Sequence, residues 1–313
     1  MSINTTTSDS PEPFSPGGRA TLIGSLPVAD HRQGLDLIRR YTPEIPLWPQ
    51  LPANPREGML VQFAEGFVGL VEGERTYFDT GDDFDNRLLP FFEEFLQVSE
   101  EPDTLMDSRF AISRERAAGL YLLREQAADL HPLALKGQIT GPFTMLTGLQ
   151  DQDQRLSYYN PSLKEMVVQG LALKAVWQTR FLRETGLPVI IFIDEPALAG
   201  LGSSSFISIA TTDIAQDLAQ VSTAIQAAGG LAGVHVCANT EWELLLNGGL
   251  DVISFDAYEF FDRFLTCRPL IHAFLERGGN IAWGLVPTGK IELIEAETTD
   301  SLVSRWESQA SGL

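Results

Sequence analysis

His235 and Cys237 stand two residues apart in the apolar run 231–237 (LAGVHVC). At positions i and i+2 of a β-strand both side chains leave the same face, within reach of one ion. An imidazole and a thiolate suit Zn²⁺, whose structural and catalytic sites are tetrahedral. Asp256, which ends the next apolar run, is a reasonable third ligand. An isolated H-x-C is also what a small buried Cys beside a hydrogen-bonded His looks like, and that plainer reading prevails unless further ligands join. Asp194 ends PVIIFID, the most apolar run of the chain. A carboxylate there is either a helix N-cap, helped by Pro196, or a ligand for a substrate ammonium. Gly24 and Ser25 can bind a carboxylate through the main chain or form the turn into the next helix. Gly141-Pro142, following Gln138 and Thr140, makes a shaped loop whose role spacing alone leaves open. Cys267, inside an expected helix over 261–277, reads as packing, His131 and His272 as loop or surface, and Trp48 and Trp283 as core.

These residues sit at the ends of short apolar runs: 20–24, 45–51, 133–139, 188–193, 231–237, 251–255 and 280–286. Each is bounded by Gly, Pro or Asp, as buried parallel strands are. Helical patterns lie between them. One covers 161–185 with Pro161 at its first position, another 212–228 with Thr212 as cap and Gly229-Gly230 as stop. Strand–helix alternation predicts an α/β fold with a parallel sheet. Seven strands are one short of a (β/α)₈ TIM barrel, and no G-x-G-x-x-G follows any strand to favour a dinucleotide fold. Residues 1–18, rich in Ser, Thr and Pro, are expected to be a disordered tail. The remainder, 19–313, reads as one domain with an insertion at about 58–107.

Composition narrows the partners. Across 313 residues, 22 Lys+Arg against 42 Asp+Glu give a net charge of −20. A surface so acidic repels phosphate backbones and anionic lipid, which argues against nucleic acid and membrane surfaces. No run reaches the length of a spanning helix. Two cysteines cannot make a disulfide framework, so a reducing, cytoplasmic setting is expected.

Five stretches in order, ATLIGSLP (20–27), KGQITGPFTM (136–145), FIDEPALAG (192–200), GVHVCANTEW (233–242) and LDVISFDAY (250–258), carry a resemblance. They resemble the catalytic C-terminal barrel of cobalamin-independent methionine synthase, within the wider uroporphyrinogen decarboxylase-like superfamily. The resemblance covers residues 20 to about 290 and implies methyl transfer to a thiol. It implies that His235, Cys237 and Asp256 hold zinc, that Asp194 holds the ammonium of homocysteine, and that Ile23, Gly24 and Ser25 hold its carboxylate. The methyl donor would be methyltetrahydrofolate or a methylcorrinoid protein. Zinc coordination makes a thiol a thiolate at neutral pH, which is the chemistry required.

This chain departs from the family in four places. Asp256 falls where the family has a Glu. A Cys-Gly motif that supplies the last zinc ligand, and the eighth strand with it, is not found before Leu313, as expected for a C-terminal truncation or a loss of both features. The family's acidic residue after the second strand is not evident in WPQLP (48–52), and the N-terminal half that helps hold folate is absent. The alternatives are a metal-free decarboxylase of the uroporphyrinogen type, a corrinoid:thiol methyltransferase, and an inactive homologue. The decarboxylase needs arginines for many carboxylates, and the N-terminal strand offers only Arg19.

Overall fold

The computed structural model describes residues 14–203 and 206–313. Most of the tail expected over 1–18 therefore lies outside the described residues. Phe14 is described, and it packs against an apolar cluster of Ile45, Ala134, Ile190, Phe192 and Val252. Partial burial of that ring against the sheet removes apolar surface from water.

The first helix, α1 (His31–Tyr41), starts at Asp30, whose carboxylate accepts the Gln33 N–H at 2.9 Å. The insertion follows. It holds a short helix α2 (Met59–Gln62), an antiparallel ribbon of β1 (Leu70–Val71) with β2 (Tyr77–Phe78), and the long helix α3 (Phe84–Glu100). Its aromatic residues turn inward. Phe91 lies edge-on to Phe67 at 6.3 Å and to Phe110 at 5.4 Å between ring centroids. After it come α4 (Ala118–Leu130), β3 (Leu135–Thr140), α5 (Pro142–Gly148), α6 (Pro161–Arg183) and β4 (Val189–Asp194). The alternation continues with α7 (Thr211–Ala227), β5 (Leu231–Val236), α8 (Trp242–Leu246), β6 (Val252–Phe255), α9 (Ala257–Phe264), α10 (Arg268–Glu276) and β7 (Asn280–Trp283). Two helices, α11 (Ile291–Ala296) and α12 (Thr299–Ser311), close the chain.

Strands β3 to β7 form one five-stranded parallel sheet in sequence order. Two more segments join it through isolated parallel bridges, Leu47 to Lys136 and Ser25 to Gln50. All seven apolar runs of the sequence thus lie side by side in chain order. Alternation along the strands separates two faces. Leu135, Ile139, Ile191, Ile193, Val234, Ile253 and Phe255 pack under the helices in the main core. The opposite face carries Ile190, Phe192 and Val252, together with the polar residues described below.

Two of the expected helices differ from expectation. α7 begins at Thr211 with Ala210 in the cap position, and Thr212 caps nothing. Gly229 ends it at φ +81°, where a side chain would be strained. The helix expected over 261–277 breaks at Leu265–Cys267 because Pro269 opens α10 and cannot continue a helix from α9. α6 runs as expected from Pro161, capped by Asn160 Oδ1 on the Leu163 N–H at 3.1 Å.

One helix side chain enters the sheet. Gln178 of α6 accepts from Trp48 Nε1 at 2.9 Å and from the Gln138 N–H at 3.1 Å, and donates to the Gln138 carbonyl at 3.0 Å. Gln178 is fully buried. Replacing it by Leu leaves three buried polar groups without partners, each costing on the order of 1–3 kcal/mol. Gln178→Leu is therefore expected to lower unfolding free energy by about 3 kcal/mol or more in a denaturant titration. A loss under 1 kcal/mol would show that the relay is dispensable.

Candidate functional site

The register of the sheet aligns one polar row. Thr140 pairs with Asp194, Asp194 with His235, and His235 with Ser254, each on the next strand. Paired residues of parallel strands share a face. The four side chains therefore line the face opposite the helices, at the carboxyl ends of β3 to β6, with Lys136 and Gln138 further down β3. In open α/β sheets and barrels alike this is the end where ligands bind.

Asp194 is 6% exposed, and its Oδ1 is buried without a hydrogen-bond partner. It caps no helix, so the N-cap reading does not hold. That task belongs to its neighbour. Glu195, on the other face, accepts from the Phe143 N–H at 3.0 Å, the Thr144 N–H at 2.7 Å and Thr144 Oγ1 at 2.6 Å, and so closes the amino end of α5 from the adjacent strand. Gly141 is obligatory there, since an added Cβ would collide with the Glu195 carboxyl group. Burial drives the Asp194 carboxyl upward, against the opposing pull of Lys136. Burial likewise pushes Glu195 up to about 7, against its Thr144 and Phe143 donors.

His235 bonds through Nδ1 to Ser254 Oγ at 3.0 Å, which leaves Nε2 without a protein partner among the described residues. Burial lowers its pKa to about 4, and the Lys136 charge adds to the effect. The ring is neutral at pH 7 and able to act as a ligand or an acceptor. Cys237, one residue beyond β5, is exposed. The pair therefore combines the hydrogen-bonded His of the plainer reading with a thiol that is not core packing. Asp256 lies at the amino end of α9, where its Oδ1 accepts the Glu259 N–H at 3.0 Å. Burial raises its pKa while the Glu259 and Tyr258 amides pull it down. Among the described residues no three His, Cys, Asp or Glu side chains gather closely enough to enclose an ion. His235 and Cys237 stand two residues apart at the carboxyl end of β5, and Asp256, held through Oδ1 by the Glu259 amide, follows β6.

The first segment supplies the remaining expected residues. Ile23 is 41% exposed, Gly24 is buried and Ser25 is exposed. A Cβ on Gly24 would stand 2.5 Å from Gln50 Oε1 and 2.9 Å from Gln138 Nε2, so only glycine admits this approach. Lys136, which spacing did not single out, is fully buried and donates from Nζ to the Ile23 carbonyl at 2.6 Å. Its ammonium also stands 4.5 Å from the Phe192 ring centroid. Burial lowers its pKa and the Asp194 charge raises it. The available signal was a charged residue in the middle of the apolar run LALKGQI.

No helix among the described residues is long and apolar enough to cross a membrane. The sequence matches no protein-family model and no curated protein.

The folded-state pKa of Glu195 lies above its ordinary 4.5, at about 7. The folded protein then binds more protons than the unfolded chain between those values, so this contribution to stability is complete below pH 4.5 and lost as pH rises through 7. His235 acts oppositely: its stabilising neutrality is present above pH 6.5 and lost as pH falls through about 4. Glu195→Gln should flatten the fall in stability between pH 4.5 and 7, measured by denaturant unfolding across pH. An unchanged slope would mean that the carboxyl is ionised throughout.

Proposed function

We propose that this chain is a zinc-dependent methyltransferase that methylates homocysteine to methionine, on a TIM-type barrel. The reading draws on the resemblance of its strand-end motifs to methionine synthase barrels. It is carried by one observation: Asp194, buried and lacking a donor, stands in register with a neutral His235 two residues before an exposed thiol. Seven parallel segments in chain order, with alternate side chains on two faces, support the barrel.

On this reading Asp194 receives the substrate ammonium, and the arriving charge favours its carboxylate form. The main chain at Ile23, Gly24 and Ser25 takes the carboxylate. His235 and Cys237 hold zinc, with Asp256 in the third position. A bound zinc ion supplies the lowering of thiol proton affinity that methyl transfer needs at neutral pH. The thiol proton leaves to solvent. The sulfur forms its bond to the methyl carbon as that carbon parts from the donor with the bonding pair left behind: the nitrogen of methyltetrahydrofolate takes up a proton from solvent, or the cobalt of a methylcorrinoid is left two electrons more reduced. Ser254 holds the His235 ring in one orientation throughout.

Zinc content and methionine formation, measured with each donor, test the proposal together. The chain should bind one zinc, and His235→Ala and Cys237→Ser should each lose metal and roughly a hundredfold or more of activity. Full activity in metal-free protein overturns the zinc role. No methionine from either donor overturns the methyltransferase.

A further inference from the structure

Two acceptors on the inner face lack donors. Besides Asp194 Oδ1, the buried Oε1 of Gln138 has no hydrogen-bond partner among the described residues. Gln138 is fully buried, and its amide cannot be turned over to cure this. Its Nε2 donates to the Trp48 carbonyl at 3.2 Å, so a flipped amide would set oxygen against oxygen. Gln138 pairs with Phe192 and Thr140 with Asp194, which makes Gln138 and Asp194 diagonal neighbours on one face. Strand spacing and a two-residue rise place such α-carbons about 8 Å apart, within reach of long side chains. Lys136 makes its hydrogen bond to the Ile23 carbonyl and none to either acceptor, although its charge acts on Asp194 through space. Phe192 leans across Gly233, where an added Cβ would stand 2.5 Å from the ring, and so lays an apolar floor beside them.

An amide oxygen and a carboxylate oxygen offer only lone pairs, so their ligand brings donors, and positive charge suits the carboxylate. A single ammonium nitrogen at about 2.9 Å from each oxygen can bridge acceptors up to about 5 Å apart. We infer that Gln138 is a specificity-determining residue, whose Oε1 completes with Asp194 a two-acceptor seat for the α-ammonium of an amino-acid ligand. This rests on the amino-acid-binding reading of the site and adds to it the group that rejects ligands without an amine. A ligand lacking the amine leaves both acceptors buried and unpaired, which is the costly case.

Calorimetry with L-methionine and its des-amino analogue 4-(methylthio)butanoate tests this on the full chain, and methyl transfer to homocysteine is assayed in parallel. The native protein should prefer L-methionine. Gln138→Met, similar in length but without an acceptor, should weaken L-methionine by roughly tenfold while changing the analogue by less than about twofold. Gln138→Glu, whose protonated form donates to the Trp48 carbonyl and keeps its other oxygen as an acceptor, should retain the preference. Thermal melting confirms that each variant folds, and Gln138→Leu, which also lacks the acceptor, replaces Gln138→Met if that variant does not. A preference that is absent in the native protein, or indifferent to residue 138, overturns the inference even where methyl transfer is present. A preference that depends on residue 138 without methyl transfer sustains it and overturns only the methyltransferase.

Discussion

The glutamine that α6 pushes into the sheet is the contact on which the inner face depends. Beside β3 the chain runs Pro46-Leu47-Trp48-Pro49, and its pairing is confined to the Leu47–Lys136 bridge. Lys136 still donates to the Pro46 carbonyl at 2.9 Å, but two residues on, the Gln138 N–H and carbonyl both turn to Gln178. Prolines cannot donate to a ladder, and buried peptide groups must be paired. Gln178 meets both demands at once, and Trp48 Nε1 as well. It fits because residue 137 is glycine, since any Cβ there would strike the Gln178 amide. The same arrangement fixes the Gln138 backbone, while the Trp48 carbonyl fixes its side chain. The inner row is thus oriented from the helix side of the sheet.

Charge is distributed in two unlike ways. Outside, the net −20 is met mostly by exposed arginine pairs such as Arg114–Glu125 and Arg19–Glu44, which contribute little to stability. A tighter set fastens the insertion: Arg109 to Glu94 at 2.5 Å, and Arg116 to Glu72. Inside, Lys136 and Asp194 are each pressed by burial toward their neutral forms and drawn by each other toward their charged ones. Lys174 is a second wholly buried cation, lowered to about 8 by burial, with the Arg109 carbonyl 3.4 Å from its Nζ. An acidic chain that keeps two lysines out of solvent uses them for local geometry. Lys136 binds the first segment to β3 through Ile23.

The strands were legible because a strand buried on both faces needs a continuous apolar run, and that pattern survives without knowledge of neighbours. The strand-end residues were legible for the same reason, as polar punctuation after such runs. What escaped depends on contacts distant in sequence. Gln178 is an unremarkable polar residue in a helix until it meets Gln138, forty residues away. Glu195 looks like half of an Asp-Glu pair at a strand end, yet its partners are Phe143 and Thr144 in another loop. Thr212 had the right chemistry for a cap, but the helix begins at Thr211 with Ala210 before it. Lys136 is marked in the sequence only as a charge inside an apolar run, and a single charge in a strand is usually an edge or a face turned to water.

Alternation along β4 joins the fold and the site in one dipeptide. Asp194 and Glu195 are consecutive, so their side chains leave opposite faces. Glu195 is held by three donors beneath α5, and the Glu195 N–H is anchored to the His235 carbonyl at 2.9 Å. Asp194 inherits that rigidity without spending any of its own hydrogen-bonding capacity. A carboxylate fixed in place yet unpaired is costly in an empty protein and favourable toward a cationic ligand, because little ordering is left to be done on binding. The same logic holds for Gln138, fixed by Trp48 and left open at Oε1. Unpaired acceptors in a loosely held loop would find water or a main-chain N–H. Here the sheet, the glycines at 137 and 141, and the two buried caps from Gln178 and Glu195 prevent that collapse.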